Sequence, residues 1–153
     1  VNMRRLPILF VALCLIGSSA ALAQRSEREL LEEVTKICNV REQTTELMVA
    51  GRDRGIAKSE VLTKLPPLTF QSSTFDRATY SRLNDVYAYP KLTGRTLKFH
   101  RVAACLRDAI TGVEPKFRDG LGAAMLECQS APPSTDEALS SCIIGAHSAN
   151  LTN

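Results

Sequence analysis

The stretch TGRTLKFHRVAACLRDAITG, residues 93–112, opens on a threonine suited to cap a helix and closes on a glycine suited to a left-handed stop. No proline interrupts it, and Leu97, Phe99, Val102, Ala103, Leu106 and Ile110 read as the inner side of one long helix. Arg95, Lys98 and Arg101 recur every third residue, so they drift around that helix on what reads as its outer side, next to Arg107. The helix also carries Cys105 and His100, and the rest of the chain is best read outward from it.

Upstream, helical signals begin at Ser26. Ser26 and Glu29 form a capping box, and Glu27, Glu29, Glu32 and Glu33 favour the positive end of a helix dipole. Leu30, Val34, Ile37, Cys38, Val40, Leu47 and Met48 approximate a helical period, interrupted at Arg41 and Thr44, and predict one helix ending by Gly55. A short helix over about Lys58 to Leu65 is stopped by Pro66 and Pro67. Ser73 and Thr74 cap the next, which carries Phe75, Ala78, Leu83, Val86 and Tyr87 to a stop at Pro90.

Downstream, Pro115 fits the first turn of a fifth helix bearing Phe117, Leu121, Ala124 and Cys128 on one face. Ser134 and Glu137 make a second capping box before a last helix with Leu139, Cys142, Ile143 and Ala146. Nothing reads as strand. The fold class is therefore all-α: a single-domain bundle of five or six helices over residues 24–153.

Residues 1–23 read as a cleavable export signal. Arg4 and Arg5 precede the apolar run Leu6 to Ile16, and Ala21-Leu22-Ala23 is a small-x-small cleavage site. The expected address is periplasmic or secreted, with no membrane span once the signal is removed. Cleavage takes Cys14 away and leaves Cys38, Cys105, Cys128 and Cys142. Four cysteines in an exported domain imply two disulfides, with three possible connectivities. Cys38–Cys105 with Cys128–Cys142 is favoured, since the second pair would staple two neighbouring helices. No close cysteine pair offers a zinc site, and no Cys-x-x-Cys offers redox chemistry.

Composition narrows the function. Hydrophobic residues make up 44% and charged residues 23%, which is ordinary globular composition. With no tryptophan, three tyrosines and five phenylalanines, broad stacking surfaces for sugars or single strands are disfavoured. No nucleophile elbow, zinc-protease motif, phosphate loop or calcium loop is present, and no cofactor or metal is expected. His100 and His147 have no catalytic partner at helical spacing, and the acidic pairs Glu32-Glu33 and Asp136-Glu137 compensate helix dipoles. The sequon Asn150-Leu151-Thr152 is read as chance.

Charge is uneven. Residues 52–112 hold eleven basic and five acidic side chains, a net of +6, whereas residues 24–51 carry −2 and residues 113–153 carry −3. Arg95, Lys98, Arg101 and Arg107 are thus a candidate patch for an acidic partner, against the plainer reading of a solvated face paired within the molecule. Nucleic acid is not expected as a partner, because export removes it and no binding motif is present.

Two runs have a familiar look: Arg52-Asp53-Arg54-Gly55-Ile56 with Glu60, Val61 and Leu62, and Val86-Tyr87-Ala88-Tyr89-Pro90-Lys91-Leu92-Thr93 with Cys105 twelve residues later. Together with Cys38 they resemble a group of small exported, disulfide-containing helical proteobacterial proteins of uncharacterised function. The resemblance covers about residues 38–105. It implies the Cys38–Cys105 pairing and no activity, and it departs at Gly94, where that group often has proline. A looser likeness, of size, compartment and class, is to periplasmic immunity proteins of contact-dependent toxin systems.

The expectation is a non-enzymatic exported protein that binds another envelope macromolecule, in its sharpest form an inhibitor or immunity protein. The alternatives are a small envelope hydrolase, with His100 as base oriented by Asp108, Asp85 or Glu114, and a structural envelope accessory protein.

Overall fold

Residues 26–131 and 135–152 are described by a computed structural model, and the expected export signal lies outside them. Seven helical segments follow one another: α1 (Glu27–Glu42), α2 (Thr44–Asp53), α3 (Lys58–Leu62), α4 (Thr74–Ala88), α5 (Gly94–Thr111), α6 (Leu121–Ser130) and α7 (Asp136–Asn150). The chain divides into two units, through Val34 and from Thr35 onward. In the first, Ser26 and Glu29 close a reciprocal cap, and Arg28 pairs with Glu32 one turn on. Everything below concerns the second.

The all-α class and both disulfides stand. Cys38 pairs with Cys105 and Cys128 with Cys142, at Cα separations of 5.8 and 5.7 Å. Two formed disulfides are the chemistry of a protein maturing outside the reducing cytosol.

Local signals placed most helix ends. Ser73 Oγ accepts from Asp76 N–H while Ser73 N–H donates back to the Asp76 carboxylate, and Thr93 caps α5 through the N–H of Thr96. Gly55 takes φ +86°, with its N–H on Arg52 O and that of Ile56 on Gly51 O, the paired bonds of a Schellman stop.

Three expectations fail. The first helix is two, because the ladder tightens where Gln43 N–H bonds to Val40 O, three residues back. Pro115 starts no helix: Phe117 bridges Leu151, Arg118 N–H donates to Asn150 O and Thr152 N–H to Lys116 O. That long-range pairing holds residues 116–118 extended and delays α6 to Leu121. Thr135, through the N–H of Ala138, is the cap of α7, and Ser134 lies outside the described residues.

Val49, Val86, Leu97, Leu121, Met125 and Ile143 meet in one buried core to which α2, α4, α5, α6 and α7 all contribute. Beside it residues 52–56 and 86–93 interlock. Arg52 donates from Nη1 to the carbonyls of Val86 and Tyr89, at 2.9 and 3.1 Å, and from Nη2 to that of Leu92 at 3.0 Å. Tyr87 OH donates to Ile56 O. The guanidinium thus ties together three carbonyls of the last turn of α4 and the turn that follows it. Gly94 admits the close approach of α5 to α2, since a Cβ there would lie 3.2 Å from Glu46 Cα.

Replacing Arg52 with alanine is expected to lower stability by about 3 kcal/mol, with lysine recovering only part because it lacks the planar fork. Urea unfolding of the three proteins checks this; equal midpoints for R52A and wild type would remove the interlock from the account.

Candidate functional site

The inner face of α5 is only partly the one its apolar residues predict: Leu97 and Val102 are on it, and Ile110 is not. Thr96, Leu97, His100, Arg101, Val102, Ala104 and Cys105 are buried, while Ile110 is 69% exposed. Arg101, expected on the outer side, is only 6% exposed. It cannot belong to a surface patch.

Inside, these polar groups complete a network with α1, α4 and α7. The fully buried Glu42 accepts from Arg82 Nε at 2.8 Å and from Thr45 Oγ1 at 3.3 Å, and Arg101 Nε stands 3.6 Å from the same oxygen. Arg82 also donates to the carbonyl of Arg41. Arg101 Nη1 donates to Asp85 at 2.7 Å and to Ser81 at 3.0 Å, and Ser81 in turn donates to Glu114 at 2.8 Å. His100 Nε2 lies 3.5 Å from Asp85, and His100 Nδ1 lies 2.8 Å from His147 Nε2.

Proton positions follow from the partners. A carboxylate only accepts, so His100 carries a proton on Nε2 toward Asp85, and one further proton is shared between His100 Nδ1 and His147 Nε2. Burial, with the charges of His100 and Arg107, pushes the His147 pKa down to about 3, so its ring is neutral at pH 7. Burial alone would raise the carboxyl pKa of Asp85; the hydrogen bond from His100 and the charge of Arg101 instead hold it below the usual range. The result is a buried Asp–His–His chain.

Of the three carboxylates considered as partners for His100, Asp85 alone is within ion-pair distance among the described residues. Asp108 and Glu114 line a small cavity of about 190 Å³ with Arg41, Arg77 and Arg101. Both nitrogens of His100 face protein groups, and its side chain is almost wholly buried. The arrangement can hold and relay a proton, and it offers no ring nitrogen of His100 to a substrate.

The other members of the expected basic patch are dispersed. Arg95 donates to Asp136 at 2.7 Å and Lys98 lies 3.8 Å from Glu46, which is the intramolecular pairing of a solvated face. Arg107 is exposed, and among the described residues no carboxylate is within ion-pair distance of it. The four residues do not form one surface.

What the surface does present is a loop. Between Pro66 and α4, Thr69 N–H donates to Ser72 Oγ, Gln71 N–H to Thr69 Oγ1 and Ser72 N–H to Thr69 O. Arg77 clasps this turn from α4, donating to the carbonyls of Ser72 and Phe70 at 3.3 and 3.0 Å, while Tyr80 OH donates to Pro66 O at 2.8 Å. The clasped turn holds the Phe70 ring 88% exposed, with Leu68 and Phe75 also exposed. The sequence offers one trace of this, the helix stop at Pro66 and Pro67, and nothing that marks the turn beyond it.

Among the described residues no group of His, Cys, Asp or Glu side chains could hold a metal ion, and no helix is long and apolar enough to cross a membrane. No protein-family model, curated protein or solved structure matches the chain.

Proposed function

We propose that this is a non-enzymatic protein of the bacterial periplasm that works by binding another envelope protein, with the 66–75 loop as its contact surface. One observation carries the reading: a turn fixed by its own hydrogen bonds and by Arg77 holds Phe70 almost completely in water. Exposing a phenylalanine is unfavourable for an isolated chain, and ordering the loop in advance removes an entropic cost that binding would otherwise carry. Rigid aromatic anchors of this kind dominate protein interfaces.

Supporting it, the groups suited to acid–base work are committed to one another inside the molecule, and the disulfides fit an oxidising compartment. An inhibitor or immunity role is the sharpest form, because a preformed anchor suits insertion into a partner's cleft.

The test places a photo-crosslinking phenylalanine analogue at position 70 or, as control, at position 129 on α6. Position 70 is expected to trap one discrete partner in the periplasm and position 129 none. F70A is expected to weaken binding of that partner by at least about thirtyfold. Equal trapping at both positions, or unchanged affinity in F70A, would overturn the loop as the contact.

A further inference from the structure

Between α5 and α7 runs a groove of about 360 Å³ whose apolar lining is Ala103, Leu106, Ile110 and Ile144. The volume is at the lower end for small-molecule sites, enough for one narrow chain. Ile110 and Ile144 on its walls are exposed.

The polar lining restricts what can lie there. Thr111 donates its hydroxyl proton to the carbonyl of Arg107 and Ser148 to that of Ile144, so neither has a proton left for a ligand. His147 has its Nε2 committed to His100, which leaves only the Nδ1 side of its neutral ring for the groove. Arg107 is the single charged residue of the lining and its strongest donor. Asp108, its neighbour in sequence, lines the cavity bounded by Arg41 and Arg77 instead.

An apolar trough whose one guanidinium has no carboxylate within ion-pair distance among the described residues complements a molecule that is apolar along its length and anionic at one end. We infer that this groove binds a single-chain fatty carboxylate, its chain against Leu106, Ile110 and Ile144 and its carboxylate on Arg107. The fork of an arginine matches a carboxylate with two parallel N–H bonds, and a neutral His147 adds no competing charge. The site is independent of the 66–75 loop.

Dodecanoate, titrated below its micellar concentration into the oxidised protein, is the probe. Saturable one-to-one binding is expected, with shifts in the His147 ring resonances. R107Q and the dodecanoate methyl ester should each weaken binding by about tenfold or more, and I144D should abolish it. F70A should bind dodecanoate as wild type does, so the result stands apart from that for the loop. Equal binding of acid and ester, indifference to R107Q, or uptake without saturation and without a His147 shift would overturn the inference.

Discussion

Glu42→Gln is expected to lower the stability of the fold by about 3–5 kcal/mol, although the side chain barely changes size. Glu42 is fully buried, and its carboxylate is the counter-charge for Arg82 at 2.8 Å and for Arg101 at 3.6 Å, both nearly inaccessible to water. The amide would leave two guanidinium ions in the interior with only Asp85 to balance them. A second change separates this cause from lost packing. E42Q/R82M should recover much of the loss, because removing a cation together with its anion leaves a neutral pair in place of an orphaned charge.

Acid should do by titration what the substitution does by synthesis. Burial alone would raise the Glu42 pKa, but the hydrogen bond from Arg82 and the charges of Arg101, Arg82 and Arg41 hold it below its ordinary 4.5. A carboxyl depressed in the folded state contributes stability above its unfolded pKa and loses it as pH falls through the folded value. Wild type should therefore lose stability steeply below about pH 4.5, and E42Q should show a flatter acid limb. Urea midpoints from pH 7 to pH 3 check both, and parallel curves would mean that Glu42 is not the counter-charge.

The helix ends were legible because caps are local. Thr93 reaches Thr96, Ser73 reaches Asp76, and Gly55 needs only its own backbone freedom. The rotation of α5 is not legible from charge, because a charged side chain does not by itself mark the outside. A better guide lay in the same twenty residues: Leu97, Arg101 and Cys105 are four apart in turn, and a cysteine destined for a buried disulfide fixes which way that line faces. Turning Arg101 inward swings Ala103, Leu106 and Ile110 away from the core and toward α7. One misread phase thus hid both the buried network and the groove.

Other features had no local signal to find. His100 and His147 are separated by 47 residues, and a search for partners one turn away could not join them. Residues 116–118 pair with 150–152, so the fate of Pro115 was decided by the far end of the chain. The clasp of Arg77 on Phe70 spans seven residues, but it depends on a turn whose hydrogen bonds come from Ser72 and Thr69 side chains rather than from periodicity.

Replacing Cys38 and Cys105 together with alanine is expected to cost about 4 kcal/mol, from the entropy of opening a loop of 67 residues, against about 3 for the Cys128–Cys142 loop of 14. The larger consequence is positional. Glu42 follows Cys38 by four residues and Arg101 precedes Cys105 by four, so disulfide and ion pair are successive rungs between antiparallel stretches of α1 and α5. Without the covalent rung, the last turns of α1 from Thr35 should open locally, and Arg82 and Arg101 should gain water when they do. Hydrogen exchange should then accelerate across residues 35–42 while α6 and α7, closed by their own disulfide, keep their protection. In that background E42Q should cost less than in the oxidised protein, a coupling of roughly 1–3 kcal/mol in a double-mutant cycle. Strict additivity, with unchanged exchange at residues 35–42, would show that the two rungs act independently.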